Sequence, residues 1–357
     1  MDKIPVGVLG ATGMVGQKYL ELLANHPWFE VKFLGSSDQW EGKSYGEAVQ
    51  GRWKGSNEIL NHYSSFSLSP MDAFEHAQNT CRFVFSAVSH QAAALYEEQY
   101  AAHDIPVITN VGFHRGTADV PVLIPEVNPQ HASLISIQQK NRGWKQGFIV
   151  AKPNCSLQSF MIPLTPLNHR FKVKKLHVTT MQAISGAGYP GVSSIDILDN
   201  IIPYIPNEEE KSEQEPLKIW GEIKNGVLIP TNEVMISAHC NRVPVLDGHM
   251  ACVSVEFEQK PKKEEIMNLW KDFKGIPQTA NLPSAPISPL IYLEDNERPQ
   301  PKRDRNFGNG MGISIGRLRS CPLFDYRFVA LSHNVIRGAA GGGILNAELL
   351  VHLGYLK

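Results

Sequence analysis

Short apolar runs alternate with helical patterns through the first half of the chain. The strand-like runs are IPVGVLG, EVKFLGSS, RFVFSAVS and IPVITN, and they are separated by stretches such as MVGQKYLELLANH and HQAAALYEEQYAAH. Short apolar strands that alternate with amphipathic helices are typical of βαβ units. We therefore predict a parallel sheet flanked by helices in this half.

The pattern changes between about Lys172 and Leu331. Longer β-rich stretches follow one another here, among them VKKLHVTTMQAIS, HMACVSVEFEQ and GISIGRLR. The segments EDNERPQPKRDRNFGNG and NLPSAPISP are rich in Pro, Asn, Gly and charge, which is typical of surface loops. We expect a second domain with a mixed or antiparallel sheet.

The segment HNVIRGAAGGGILNAELLVHLGYL ends in a helical pattern. Its leucines and isoleucine recur at helical spacing and predict one apolar face that packs back onto the first domain. The positions assigned to this face are Ile344, Leu345, Leu349, Leu350 and Leu353.

Composition narrows the functional classes. The 357 residues are 42% hydrophobic and 19% charged, which is enough chain for two domains with a large core. Thirty-four basic and thirty-five acidic residues give a net charge of -1, so no global field favours nucleic acid or a membrane. Five cysteines without CxxC spacing, the absence of a signal-like start and the lack of a long apolar run predict a reduced, cytoplasmic protein without a cysteine metal site.

A glycine-rich turn follows the first predicted strand and opens a helix. Backbone amides at a helix N-terminus can face a pyrophosphate, and the spacing here is GxxGxxG. A tight turn without a ligand is the alternative, but the βαβ context favours a dinucleotide. The residues predicted to contact the cofactor are Gly10, Thr12, Gly13, Met14, Val15 and Gly16.

The end of the second strand bears on which dinucleotide binds. NAD-specific proteins commonly carry an acidic residue here for the ribose hydroxyls. This chain offers Ser36 and Ser37, whose hydroxyls can hydrogen-bond a 2'-phosphate, followed by Asp38, which argues the other way. An ordinary turn is also compatible with the serine pair. We favour NADP.

Cys155 lies directly after a turn-like Lys-Pro-Asn and before an apolar helical pattern. A helix N-terminus lowers the pKa of a thiol, and the resulting thiolate is nucleophilic. We therefore predict that Cys155 is a covalent nucleophile. The other four cysteines are predicted to be small buried hydrophobic residues. They are Cys81, Cys240, Cys252 and Cys321.

A thiol nucleophile needs a group that takes and returns its proton. Histidine is the usual choice because its ordinary pKa is about 6.5. Of thirteen histidines, His249 is the best candidate, because it lies at a turn that leads into an apolar strand, seven residues after Arg242. A surface loop histidine is the alternative.

Several motifs together resemble one family. GATGMVGQ, KPNCSLQ, QAISGAGYPG, EEEK, NRVPVLDGH and HNVIRGAAGGGILNAE resemble aspartate-semialdehyde dehydrogenase, in the family's order, and KPNCS and QAISGAGYPG resemble its archaeal and fungal branch. The resemblance implies an α/β fold of the glyceraldehyde-3-phosphate-dehydrogenase-like kind. A Rossmann-type domain would comprise residues 1–154 and 335–357, and an α+β catalytic and oligomerisation domain residues 155–334. A homodimer or homotetramer is implied.

The resemblance also implies a reaction, in which NADPH reduces L-aspartyl 4-phosphate to L-aspartate 4-semialdehyde and phosphate. Cys155 would attack the acyl phosphate, hydride would reduce the thioester, and His249 would act as acid and base. Asn154 and nearby backbone amides would stabilise the oxyanion.

The family's substrate and cofactor contacts carry over by motif. Arg242 would clamp the α-carboxylate, Glu208 would hold the amine, and Lys211 and Arg115 would hold the phosphate. The bland alternatives are a solvated helix face for EEEK and a surface arginine for Arg115. The remaining assignments are substrate orientation by Gln182, assistance to Arg115 by Asn110, cofactor contacts from Ser185, Gly186 and Gly188, and a nicotinamide contact from Asn334.

Three other classes of function stay open at this point. N-acetyl-γ-glutamyl-phosphate reductase and malonyl-CoA reductase use the same thioester chemistry, although EEEK and NRVPVLDGH favour aspartyl phosphate. A dinucleotide sensor would use the glycine turn without the thiol. A cysteine hydrolase would not depend on NADPH.

Overall fold

The computed structural model describes residues 2–357, except for the side chain of Asp38. The argument from Asp38 against NADP therefore lies outside the described residues. The first half forms a six-stranded, all-parallel sheet with the order β3-β2-β1-β4-β5-β6. Its strands are β1 (Ile4–Leu9), β2 (Phe29–Ser36), β3 (Ser69–Pro70), β4 (Phe83–Ser86), β5 (Val107–Thr109) and β6 (Ile149–Ala151).

Helices connect and cover these strands. They are α1 (Met14–Leu23), α2 (Tyr45–Val49), α3 (Asn57–Tyr63), α4 (Phe74–Thr80), α5 (His90–Ala102) and α6 (Leu134–Arg142). The strand order reverses between β1 and β4, and ligands of doubly wound sheets bind outside the carboxyl ends of the strands at this point. The predicted parallel sheet is confirmed.

The second sheet is mixed, with the order β10-β7-β11-β14-β13-β12. Its outer pairs β10–β7 and β12–β13 are parallel, and the three central pairs are antiparallel. Its strands are β7 (Val173–Gln182), β10 (Met235–Arg242), β11 (His249–Phe257), β12 (Leu290–Leu293), β13 (Ile313–Ser320) and β14 (Tyr326–Ser332), and a separate hairpin pairs β8 (Glu222–Lys224) with β9 (Val227–Ile229). The predicted α/β fold with a mixed second sheet is confirmed.

One face of the second sheet is covered by helices, and along β11 every second residue is buried. The helices of this half are α7 (Gln158–Phe171), α8 (Ser194–Ile197), α9 (Glu208–Ile219), α10 (Lys263–Asp272), α11 (Ile276–Thr279) and α12 (Pro301–Asp304). The prediction for Cys252 and Cys321 is wrong, because Cys252 is exposed on the other face of the sheet and Cys321 is half-buried, whereas Cys81 and Cys240 are buried.

The last helix, α13 (Gly341–His352), packs in the core of the first sheet with Val6 and Leu20. Every residue from Gly341 to Leu350 is buried, so the apolar surface extends around the helix and is wider than the single predicted face. Leu353 falls outside this packing and is 38% exposed. Across residues 2–357, none of the helices combines the length and apolar character needed to cross a membrane.

Candidate active site

Cys155 lies in the turn between β6 and α7, at the carboxyl edge of the first sheet. Its Sγ is 3.3 Å from Nε2 of His249, the first residue of β11. The second domain therefore brings a strand end to the carboxyl edge of the first sheet. His249 is fully buried, so the surface-loop alternative is wrong for this residue.

Backbone contacts determine which nitrogen of His249 carries the proton. The N–H of Ala183 donates to Nδ1 at 3.0 Å, so Nδ1 must be the acceptor of the neutral ring. The proton then lies on Nε2, the nitrogen that faces the sulfur. In this tautomer, the imidazole donates toward Cys155 and presents no lone pair to it.

Burial sets the charge state of this pair. It raises the pKa of the Cys155 thiol, and Glu208 adds to the increase, while Lys152, Arg115 and Arg242 oppose it. Burial also holds the pKa of His249 well below its usual value, helped by Arg242. The expected lowering of the thiol pKa by a helix N-terminus is therefore wrong for the resting pocket, where α7 begins three residues later, at Gln158.

Two glycines bound the reacting pair. A Cβ at Gly186 would lie 2.9 Å from Nη1 of Arg242 and 3.0 Å from Nε2 of His249. A Cβ at Gly338 would lie 2.9 Å from Cβ of Cys155. Real side chains essentially never approach so closely, so these two positions require glycine or a shift of the pair.

A cavity of about 230 Å³ opens in front of the thiol. Its walls include residues of the glycine turn, of the loop that carries Arg115 and of α9, which begins at Glu208. The predicted residues that line it are Met14, Val15, Asn110, Arg115, Asn154, Cys155, Ser185, Gly186, Gly188, Glu208 and Asn334.

Glu208 is the acidic residue of EEEK that faces this cavity, at the first position of α9. Its carboxylate accepts hydrogen bonds from Asn154 Nδ2 at 2.8 and 3.0 Å, from Gln182 Nε2 at 3.0 Å and from Lys211 Nζ at 2.9 Å. Glu209 instead accepts from the backbone N–H of Cys240. Gln182 and Lys211 are therefore joined to the cavity through Glu208.

Arg115 is held by three acceptors. Its guanidinium donates to Lys152 O at 2.9 Å, to Asn110 O at 2.8 Å and to Glu215 Oε1 at 3.0 Å. Glu215 also accepts from the backbone N–H of Asn154 at 2.7 Å, so that amide is not free for an oxyanion. Glu215 lies on α9, 100 residues from Arg115, and no motif pointed to it.

Arg242, at the end of β10, is buried and donates to Ala183 O at 2.7 Å. Within the described part of the chain, its guanidinium has no carboxylate at salt-bridge distance. A buried arginine that is paired only with a carbonyl can accept an anionic ligand.

Lys152 was missed by the sequence analysis. It is buried, it lines the cavity beside Cys155, and its Nζ donates to the carbonyl of Pro153. Burial, assisted by Arg115, lowers its pKa to about 7. The available signal was a charged residue placed between the apolar run FIVA and the nucleophile turn.

The glycine turn fits a bound phosphate group. Gly10 has φ +74, and a Cβ on Gly16 would lie 2.2 Å from Gly10 O, so the backbone packs in a way that only glycine allows. Helix α1 begins at Met14 without an acidic residue in its first turn, which leaves amides available for an anion. Thr12 lies in this turn, with its carbonyl accepting from the Gln17 side chain.

The remaining cofactor candidates lie in two places, with the serine pair at the end of β2 and with Asn334 and Ser185 at the cavity in front of the thiol. Ser36 is buried at the end of β2, and its Oγ has no hydrogen-bond partner among the described residues, whereas Ser37 is exposed. Asn334 accepts from Gly248 N at 2.8 Å and donates to Ser185 Oγ at 2.8 Å. Its amide therefore holds the Ser185 loop at the cavity wall.

Comparisons with known proteins agree along the chain. Residues 5–135 match the model "Semialdehyde dehydrogenase, NAD binding domain", and residues 164–337 match "Semialdehyde dehydrogenase, dimerisation domain". An aspartate-semialdehyde dehydrogenase of Archaeoglobus fulgidus is 44% identical over 346 residues, which cover 97% of both chains. A malonyl CoA reductase (NADP) of Metallosphaera sedula is 40% identical, covering 99% of this chain and 98% of the relative.

Among solved structures, the Candida albicans aspartate-semialdehyde dehydrogenase with NADP superposes with a TM-score of 0.90. It is 38% identical in sequence, and the match covers 98% of this chain and 99% of that one. Archaeal and fungal relatives thus match over nearly their full length. This chain belongs to the aspartate-semialdehyde dehydrogenase family.

Proposed function

We propose that this chain uses NADPH to convert L-aspartyl 4-phosphate into L-aspartate 4-semialdehyde and phosphate, on the route to lysine, threonine and methionine. The observation that carries the proposal is the Cys155–His249 pair, 3.3 Å apart, beside a cavity that also presents the Glu208 carboxylate. The thiol can attack the acyl carbon of the substrate, and the imidazole N–H can donate to the oxygen of that acyl group. The carboxylate can bind the α-amine.

The chain's own residues carry out the acyl transfer. Cys155 sulfur attacks the acyl carbon, the bond to phosphate breaks, and a thioester forms. When bound, NADPH supplies the hydride that reduces the thioester. His249 is the proposed acid and base, and in the tautomer with the proton on Nε2 it donates a hydrogen bond to the oxygen on which charge develops.

Each charged group of the substrate has a candidate partner. Arg242 holds the α-carboxylate and Glu208 the amine, while Gln182 and Asn154 fix the Glu208 carboxylate. The phosphate is assigned to two further cations near the cavity. These are Arg115, carried by the loop after Asn110, and Lys211 on α9.

The cofactor is placed across the glycine turn. The backbone amides of Thr12 and of residues 14–16 face the pyrophosphate, while the Gly13 N–H closes the turn on Gly10 O, and the free hydroxyl of Ser36, with Ser37, receives the 2'-phosphate. Ser185, Gly186 and Asn334 approach the nicotinamide end. Packing of α13 in the core of the first sheet supports a dinucleotide-binding domain of residues 1–154 and 335–357, with 155–334 forming the catalytic and oligomerisation domain.

We also propose that the chain forms a homodimer or homotetramer. The matched dimerisation domain carries large apolar side chains that are exposed in the single chain. Ile195 is 90% exposed and Leu198 is 66% exposed, and both lie between β7 and α9. A cytoplasmic location is proposed as well, because all five cysteines are free thiols.

The test follows NADPH oxidation by absorbance, with aspartyl phosphate as substrate. Cys155→Ser should abolish turnover while NADPH affinity, measured by fluorescence titration, changes less than about twofold. Cys321→Ser, which alters a half-buried thiol on β13's outgoing turn, is the matched control and should turn over normally. Turnover by Cys155→Ser at the wild-type rate would exclude covalent catalysis.

The similarity to a malonyl CoA reductase supports one alternative, in which malonyl-CoA is the substrate. The malonyl group has no α-amine, so the Glu208 carboxylate at the cavity wall would have no ammonium group of the acyl chain to bind. Parallel assays with aspartyl phosphate, malonyl-CoA and N-acetylglutamyl phosphate decide between the substrates. Strong preference for either of the last two would overturn the proposed substrate.

A further inference from the structure

Glu215 joins two parts of the candidate site that lie far apart in the sequence. Its Oε1 accepts from Nη1 of Arg115 at 3.0 Å, and its Oε2 accepts from the backbone N–H of Asn154 at 2.7 Å. Arg115 is a proposed phosphate ligand, and Asn154 directly precedes the nucleophile Cys155. One carboxylate therefore sets the position of this guanidinium relative to the turn that carries the attacking sulfur.

The Glu215 carboxylate lies behind Arg115, away from the substrate. Arg115 lines the cavity of about 230 Å³ in front of the thiol, whereas Glu215 is not among the residues of the described chain that line it. The two side chains are buried to the same extent, with 10% of each exposed. A phosphate in the cavity would therefore share the guanidinium with a carboxylate that remains bonded to the Asn154 N–H.

The hydrogen bonds of Arg115 leave donors for such a ligand. A guanidinium has five N–H groups. In Arg115, Nε donates to Lys152 O, Nη2 to Asn110 O and Nη1 to Glu215 Oε1. One N–H on each Nη nitrogen has no partner within the described chain. These donors can bind phosphate oxygens.

The same helix also fixes the backbone of the loop that carries Arg115. Lys218, three residues after Glu215 on α9, donates to the carbonyls of Arg115, Thr117 and Val120 at 2.7, 2.7 and 3.0 Å. Side chains three residues apart lie on the same face of a helix. Lys218 thus holds the loop, and Glu215 acts on the guanidinium itself.

We propose that Glu215 is a positioning residue, which aligns Arg115 with the nucleophile turn and, by neutralising part of the guanidinium charge, keeps the affinity of the site for inorganic phosphate low. The inference rests on the proposed acyl-phosphate reaction, in which phosphate is a product that has to leave. Opposite charges attract strongly in a buried pocket, because little water screens them. The Glu215 carboxylate attracts the guanidinium and repels the phosphate, so both effects favour phosphate release.

The experiment measures the Kd of inorganic phosphate by calorimetry with NADP bound, and the KM for phosphate in the reverse reaction with aspartate semialdehyde. Glu215→Gln loses the charge but keeps an oxygen for the Asn154 N–H, and Arg115 stays held by the carbonyls of Lys152 and Asn110. Phosphate Kd and KM should both fall about tenfold in this variant. A purely structural role predicts weaker binding, because Arg115 would be displaced. Unchanged or weaker phosphate binding in folded Glu215→Gln would overturn the proposal.

Two further variants separate position from charge. Glu215→Asp keeps the charge but withdraws the carboxylate by one methylene from both of its donors, so kcat should fall at least about tenfold. Wild-type kcat in Glu215→Asp would exclude the positioning role, even if Glu215→Gln does not fold. Glu209→Gln, the matched control on α9, removes a carboxylate that accepts from Cys240 N and should leave phosphate Kd unchanged. Equal tightening in Glu209→Gln would attribute the effect to net charge and would also overturn the proposal.

The wild-type protein tells failure of this inference from failure of the proposed function. Wild-type protein that neither binds phosphate nor reduces NADP in a phosphate-dependent way would contradict the acyl-phosphate reaction itself. A normal wild-type response, together with no change in Glu215→Gln, would contradict only the role of Glu215.

Discussion

The absence of a side chain at Gly186 allows two groups of the active site to lie close together. A Cβ on residue 186 would lie 2.9 Å from Arg242 Nη1 and 3.0 Å from His249 Nε2. Glycine therefore leaves the room that the guanidinium and the imidazole ring occupy. By resemblance, Gly186 was expected to contact the cofactor, with no link to Arg242 or His249. Its contacts lie 56 and 63 residues further along the chain, which no local pattern reveals.

Gly186→Ala should reduce kcat at least about tenfold, because the new methyl would displace the His249 ring from Cys155 Sγ and small misplacements are costly in catalysis. The measurement is NADPH oxidation under saturating substrate. Gly116→Ala is the matched control, since a Cβ there meets nothing within 4 Å and kcat should stay within about twofold. Equal kcat for Gly186→Ala and wild type would contradict this account.

Residue types were easier to predict than their electrostatic states. Motif order singled out Cys155 and His249, and the structure places their reactive atoms 3.3 Å apart. The predicted pKa direction of the thiol was wrong, because burial and the nearby Glu208 carboxylate raise it. Lys152 and Glu215 escaped notice because their importance arises from burial and from long-range contacts.

At the scale of elements, helix α5 carries an ionisable group into the core of the first sheet. Glu97 is fully buried on this helix, and its Oε1 accepts from Thr109 Oγ1, at the end of β5, at 2.6 Å. Thr109 Oγ1 in turn accepts from Val111 N at 2.9 Å, at the start of the loop that carries Arg115. Burial raises the pKa of Glu97 to about 7.

Glu97→Gln should stabilise the protein at high pH. In the unfolded chain Glu97 ionises near pH 4.5, whereas in the folded chain it keeps its proton until about pH 7. The folded state therefore loses stability as pH rises from about 4.5 to 7, by on the order of 3 kcal/mol. Glutamine removes this loss, so the gain in Tm over wild type should be larger at pH 8 than at pH 5.

Thermal unfolding of both proteins at the two pH values provides the measurement. Glu98→Gln, at an exposed position of the same helix, controls for the loss of a carboxylate. A Glu97→Gln variant whose Tm advantage is no greater at pH 8 than at pH 5 would refute the argument.

The elements themselves followed from their patterns. The parallel sheet was predictable because buried parallel strands are short continuous apolar runs. Cys252 was predicted to be buried from its residue type alone, whereas the alternating burial along β11 places it on the face of the sheet away from the helices. Around α13, burial by neighbours on every side erased the single apolar face that the pattern predicted.

On the scale of the whole molecule, exposed apolar side chains of the second domain indicate an assembly. Leu198→Glu should shift the chain toward monomer in sedimentation velocity, because a carboxylate would be buried at the proposed interface. Leu95→Glu changes a leucine of similar exposure on α5, outside the matched dimerisation domain, and should leave the sedimentation coefficient unchanged. Identical association of Leu198→Glu and wild type would place the interface elsewhere.

The packing of α13 also has a consequence for synthesis of the chain. The core of the first sheet includes Val6 and Leu20 from the start of the sequence and Leu345 and Leu349 from α13. During translation, that core is therefore completed only when the ribosome has produced α13, more than 300 residues after the early strands. Ribosome-bound chains that stop before Gly341 should leave this surface open to chaperones and proteases, although all six strands of the first sheet have already been made.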